Sequence, residues 1–209
     1  MRRPAGTALL AALLALAPTV RADAHVAGTV VAEGGEAEVA DGVADGGDRD
    51  AARLDALFEA LGSASTPAEA TRLEASIWRA WLDAPDEDAS ILMDAVQGAM
   101  AAGEGERALD LADRLVALAP DWAEGWNKRA TILYVLGDDD ASVADIRETL
   151  AREPRHFGAI SGLGQIFLRR GEPARALEAF EAVLELSPAS PNARAAVEFA
   201  RAAADERRI

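Results

Sequence analysis

Apolar residues in this chain recur at helical spacing from about Ala51 onward, and the polar residues between them keep to the opposite faces. Leu54, Leu57, Phe58 and Leu61 form one stripe, which Gly62 and the segment SASTP interrupt. A second stripe, Leu73, Ile77, Trp78 and Trp81, follows Thr66 and Pro67, a helix N-cap followed by a proline in the first turn. Six further helices are predicted at 89–102, 105–118, 123–136, 139–152, 157–170 and 173–186. At 14 residues each would be roughly 21 Å long.

These six helices repeat. Gly103, Gly137 and Gly171 are spaced 34 residues apart, and so are Pro120, Pro154 and Pro188. Each glycine is followed by an acid and falls where a helix must end with positive φ, a conformation that strains a side chain. Each proline closes a helical run because it cannot donate to the preceding turn. Small residues recur in register as well: Ala108, Ser142 and Ala176 in the second helix of each unit, and Ala130 and Gly164 in the first. They permit two helices to approach closely, while Trp126, Phe167 and Phe180 are expected to fill the space between units. On that reading Trp126→Ala should cost about 3–5 kcal/mol.

A helix–turn–helix unit of this length, with a bulky residue at its fourth position (Leu92, Trp126, Ile160), resembles the tetratricopeptide repeat. The resemblance implies an all-α, right-handed superhelix of antiparallel helix pairs with capping helices. Three repeats occupy 89–122, 123–156 and 157–188. Residues 51–88 are expected to be a degenerate helix pair one unit before the first clear repeat, and 189–209 a C-terminal cap with a charged outer face. The segments WAEGWNKRA and EPRHFGA resemble short exported bacterial proteins of the same family whose role is undefined. Their packing reading has Trp122 and Phe157 stapling the inter-repeat turn and Arg155 or His156 capping nearby backbone.

The N-terminus is of another character. Arg2 and Arg3 precede an apolar run of about a dozen residues, too short to span a membrane comfortably. Ala22-Asp23-Ala24 then gives a cleavage pattern, so residues 1–24 read as a secretory signal peptide cut after Ala24. The mature protein is therefore expected in the periplasm or outside the cell. Residues 25–50 combine glycine, small residues and acids with no helical period, an acidic disordered linker with too little apolar surface to offset chain entropy. Cysteine is absent, which excludes disulfides and a lipid-modified N-terminal Cys. The formal charge is −15, a field that repels nucleic acid and anionic membrane surfaces.

Little points to catalysis. Two His and no Cys give no metal-ligand pair on a shared helix face, and no cofactor is expected. Gly158, Gly162 and Gly164 mimic a phosphate loop, but no strand precedes them, and they are better read as contacts for a neighbouring helix. The resemblance instead implies a concave groove lined by the first helix of each unit. The residues it assigns there are Met93, Gln97, Met100, Asn127, Thr131, Tyr134, Ser161, Gln165 and Leu168, with Arg155 on the rim. Amides and hydroxyls pair with backbone groups and Met adapts its shape, as a peptide- or helix-binding wall requires. Family members that grip a C-terminal carboxylate use Lys, Asn and Arg at positions that here are Met93, Gln97, Lys128, Gly158 and Gly162. That clamp is missing. The expected function is a non-catalytic protein-interaction scaffold or adaptor of the cell envelope. A chaperone for unfolded exported clients, such as apocytochromes in assembly, or a structural subunit would use the same architecture.

Overall fold

A computed structural model describes the backbone of residues 44–206 and side chains from Arg49 onward. Among the described residues there are nine helices and no strands: α1 Ala44–Ser63, α2 Pro67–Trp81, α3 Glu87–Ala101, α4 Gly105–Leu118, α5 Ala123–Leu136, α6 Asp139–Arg152, α7 Phe157–Arg169, α8 Pro173–Leu186 and α9 Pro191–Glu206. The leader and most of the acidic linker lie outside the described residues. The linker's last seven residues, 44–50, are helical and open α1 instead of being disordered. Once a helix has nucleated on its apolar stripe, each added residue needs only one further backbone bond.

Consecutive helices from α3 to α9 pack antiparallel into a solenoid. The period is built by two kinds of junction. Within each unit the glycine stands in the left-handed region, at φ 72° for Gly103, 90° for Gly137 and 71° for Gly171. There its N–H and that of the following acid return to carbonyls of the last turn, as in Gly137 N–Tyr134 O at 3.2 Å and Asp138 N–Leu133 O at 2.9 Å. This is the Schellman closure, made three times. Between units, Pro120, Pro154 and Pro188 each occupy the second position of a β-turn, closed by Trp122 N–Ala119 O, His156 N–Glu153 O and Ser190 N–Ser187 O.

Close helix approach follows from the small residues. Ala108 and Ala176 are fully buried, and Ser142 is tolerated in the core because its hydroxyl donates to the Ala130 carbonyl at 2.8 Å. Gly164 lies beneath the ring of Phe180, where a Cβ would stand 2.6 Å from a ring carbon. Phe167 and Phe180 are buried as expected. Trp126 is not. It is half-buried, donates from Nε1 to the Pro120 carbonyl at 2.8 Å, and is flanked by the guanidinium groups of Arg129 and Arg152 at 5.0 and 4.8 Å from its ring.

The N-terminal pair also departs from expectation. Helices α1 and α2 do form a hairpin, capped at Thr66, whose side chain accepts from Glu69 N. However, it does not extend the stack beneath α3. Phe58, Leu61, Ala70, Ile77 and Trp81 join the apolar cluster of α7, α8 and α9, whereas α3 and α4 close a separate cluster around Met93, Val96, Ala108 and Leu115. The hairpin lies across the proline turns. Trp122 donates from Nε1 to the Trp81 carbonyl at 2.8 Å, Arg155 pairs with Asp55 at 2.7 Å, and Ser187 donates to Glu74 at 2.8 Å. Three aromatic rings on one hairpin need large partners, and Phe157 and His156 supply them where the Ala-rich α3 does not.

Candidate functional site

The first helix of a unit presents residues at i, i+4 and i+7 to the same side. On α5 these are Asn127, Thr131 and Tyr134; on α7 they are Gly158, Gly162 and Gln165. Together they surround a hollow of about 100 Å³ whose floor includes Ala130, Ser142, Ile146 and Ala159. Thr131 and Gln165 are exposed at its edge. Tyr134 is fixed by Arg169, whose guanidinium lies 3.8 Å from the ring centroid and donates to the Tyr134 carbonyl at 2.9 Å.

A larger hollow, about 330 Å³, adjoins it along Gly158 and Gln165. Its walls are Trp78 and Glu74 of α2 on one side and Ser161 of α7 on the other, over Phe180, Val183, Ala193 and Ala196. The indole of Trp78 lies so close to Gly158 that a Cβ there would be 2.5 Å from the ring. A glycine at this position is what lets the hairpin reach the inner wall.

Beneath the hairpin is a buried polar cluster. His156 caps α7: its Nδ1 accepts from Ala159 N at 3.2 Å, which leaves the proton on Nε2 to donate to Glu124 Oε2 at 3.0 Å. The same carboxylate oxygen accepts from Asn127 Nδ2 at 2.9 Å, and Lys128 Nζ lies 3.1 Å from Oε1. Glu124 and His156 are fully buried. Burial pushes the Glu124 carboxyl up, but the His156 hydrogen bond and the Lys128 charge outweigh it and hold the group below its ordinary value of 4.5. Lys128 is thus engaged by Glu124.

The expected groove residues separate into three sets. Asn127, Thr131, Tyr134, Ser161 and Gln165 line the two hollows, although Asn127 is buried and committed to Glu124. Met93 is corrected: it is 3% exposed and belongs to the core of α3 and α4, against which Met100 also packs, while Gln97 is exposed. The first unit meets few large side chains, and Met93 fills the space they leave. Leu168 packs against the main core, and Arg155 is held between Glu153 and Asp55 over the ring of Phe58 at 4.3 Å. Trp78 and Glu74 were not expected at the site. The signal for Trp78 was present: a stripe carrying two indoles exceeds what packing against one neighbouring helix requires.

Among the described residues no three His, Cys, Asp or Glu side chains are grouped to hold a metal ion, and no helix is long and apolar enough to cross a membrane.

Comparison with known proteins agrees with this geometry. Residues 128–191 match the family model described as Tetratricopeptide repeat. A TPR repeat-containing protein of Rhizobium etli is 37% identical over 142 residues, covering 68% of this chain and 70% of the relative. Among solved structures, the Sgt2 TPR domain from Aspergillus fumigatus is similar at TM-score 0.56 and 23% identity, over 60% of this chain and 84% of that one. The first TPR of Spaghetti, bound to the HSP90 peptide SRMEEVD, is similar at TM-score 0.53 and 20% identity, over 56% of this chain and 93% of the domain.

Proposed function

Because this chain belongs to the tetratricopeptide-repeat family, we propose that it is a non-catalytic scaffold that holds a segment of another protein against its inner wall. The observation that carries this reading is the hollow between α5 and α7, where Thr131 and Gln165 stand exposed beside the fixed ring of Tyr134. The Thr131 hydroxyl donates to the Asn127 carbonyl at 2.9 Å and keeps its lone pairs as acceptors, while the Gln165 amide offers donors and an acceptor; together they suit a main chain, and the ring offers an apolar seat. Similarity to a domain that holds a peptide supports the same role. The leader-like N-terminus places the protein, on this proposal, in the bacterial cell envelope, with exported proteins as its partners.

Photocrosslinking tests the reading. A photoreactive residue at 131 or 165 should yield adducts with a partner in the exported fraction, and one at Glu148, on the α6 surface, should not. Adducts from 148 alone would move the binding face to the convex side. Fractionation that finds the protein wholly in the cytoplasm would refute the assigned compartment.

A further inference from the structure

The larger hollow has a wall that the repeats themselves do not supply. Trp78 and Glu74 come from α2, and without the hairpin the surface of Ser161, Gln165 and Ala196 would be an open slope. We infer that the hairpin completes a binding site here, and that its ligand is an extended peptide segment with one bulky apolar side chain beside a Lys or Arg. This deepens the scaffold reading and rests on it.

Backbone pairing decides the form of the ligand. An α-helix has already paired its own N–H and C=O groups, whereas an extended strand leaves them free for the hydroxyl and amides at the edge of the hollow. The hollow, about 330 Å³, has room for one or two side chains of such a strand. The volume falls at the lower end of the range of about 300–1,000 Å³ in which small ligands are enclosed.

Chemistry decides the side chains. The floor of Phe180, Val183, Ala193 and Ala196 and the indole of Trp78 make the interior apolar. At the edge, Ser161, Gln165 and Asn192 provide hydroxyl and amide groups for a main chain. The lining holds one carboxylate, Glu74, and no basic residue. Glu74 is oriented by the Ser187 hydroxyl, 2.8 Å from Oε1. The surrounding field has the same sign, with 36 acids against 21 Lys and Arg in the chain. An acidic segment is repelled and a basic one is attracted.

Selection of random heptapeptides on phage by the full chain is the test, followed by calorimetric titration of the enriched peptides. Enrichment of Lys or Arg next to Leu, Phe or Met is expected. Glu74→Gln retains an acceptor for Ser187 and should weaken those peptides by about fivefold at low salt. Ala196→Phe, which puts a ring into the hollow from α9, should weaken them by more than about tenfold. Circular dichroism of both variants checks that they remain folded. Acidic or uncharged consensus peptides, no enrichment, or affinity unmoved by either substitution would overturn the inference. Peptides that respond only to Thr131→Ala or Tyr134→Ala would overturn it while leaving the scaffold reading intact. Absence of both peptides and crosslinks would sink the two together.

Discussion

The indole of Trp81 lies face to face with the imidazole of His156, their centroids 4.0 Å apart and their planes 11° from parallel. One residue closes the N-terminal hairpin and the other caps α7, so the pair is the point at which the hairpin is fastened to the repeats. Trp81 is buried, and Trp81→Ala should cost about 3–5 kcal/mol in urea unfolding. A double-mutant cycle with His156→Ala should return a coupling of about 0.5–1.5 kcal/mol beyond the loss of area. Additive single effects would show that the stacking contributes nothing of its own.

Acid should loosen the same region. Glu124 is held below its unfolded pKa, so the stability it contributes is fully present above that value and is lost as pH falls through the lower folded-state value. Unfolding midpoints of the wild type should therefore decline below about pH 4.5. Glu124→Gln should be less stable at pH 7 by about 1–3 kcal/mol, because its amide must face the Lys128 ammonium. Its decline in acid should be correspondingly shallower. Parallel pH profiles would remove Glu124 from the account.

Two glycines of α7 should respond in opposite directions to the same substitution. At Gly162 the nearest atom to an added Cβ is Ile146 Cδ1 at 3.6 Å, an ordinary contact, so Gly162→Ala should stabilise the helix by about 0.5–1 kcal/mol. At Gly164 the Phe180 ring stands 2.6 Å away in a packed core, and Gly164→Ala should cost about 1–3 kcal/mol. Thermal melts of the two variants check both signs.

The aromatic residues of the repeats should divide in the same way. Phe167 is 1% exposed, and Phe167→Ala should cost about 3–5 kcal/mol. Trp126 is only partly buried, and each of the two guanidinium groups near its ring contributes about 0.5–1 kcal/mol at an exposed site. Trp126→Ala should therefore cost about 1–2 kcal/mol, less than its place in the repeat pattern implies. Equal losses on urea unfolding would return Trp126 to the core.

What could be read from the residues was set by local rules. Helices α4, α5, α6 and α8 begin and end where the glycines, prolines and apolar spacing put them, because caps and turns are decided within a few residues. The hairpin's resting place was hidden for the opposite reason. The stripe of Leu73, Ile77, Trp78 and Trp81 says which face is buried but not against what, and the glycine that receives Trp78 lies in α7. The site shows the same limit. Met93, Asn127 and Ser161 occupy one register position in successive units, yet one is core, one is held under Glu124 and one lines a hollow. Register gives direction from the helix axis, and the depth of the neighbouring layer decides exposure.

Units that touch only adjacent units can peel from either end of an array. Here the link between Asp55 and Arg155 spans 100 residues, and that between Glu74 and Ser187 spans 113. The first helices act as a tie bar across later joints, so loss of the last unit must also loosen the N-terminal hairpin. Such ties close late in folding, since their loop entropy is spent before their contacts form. A nascent chain emerging from the ribosome cannot fasten its opening segment until the far end has been made.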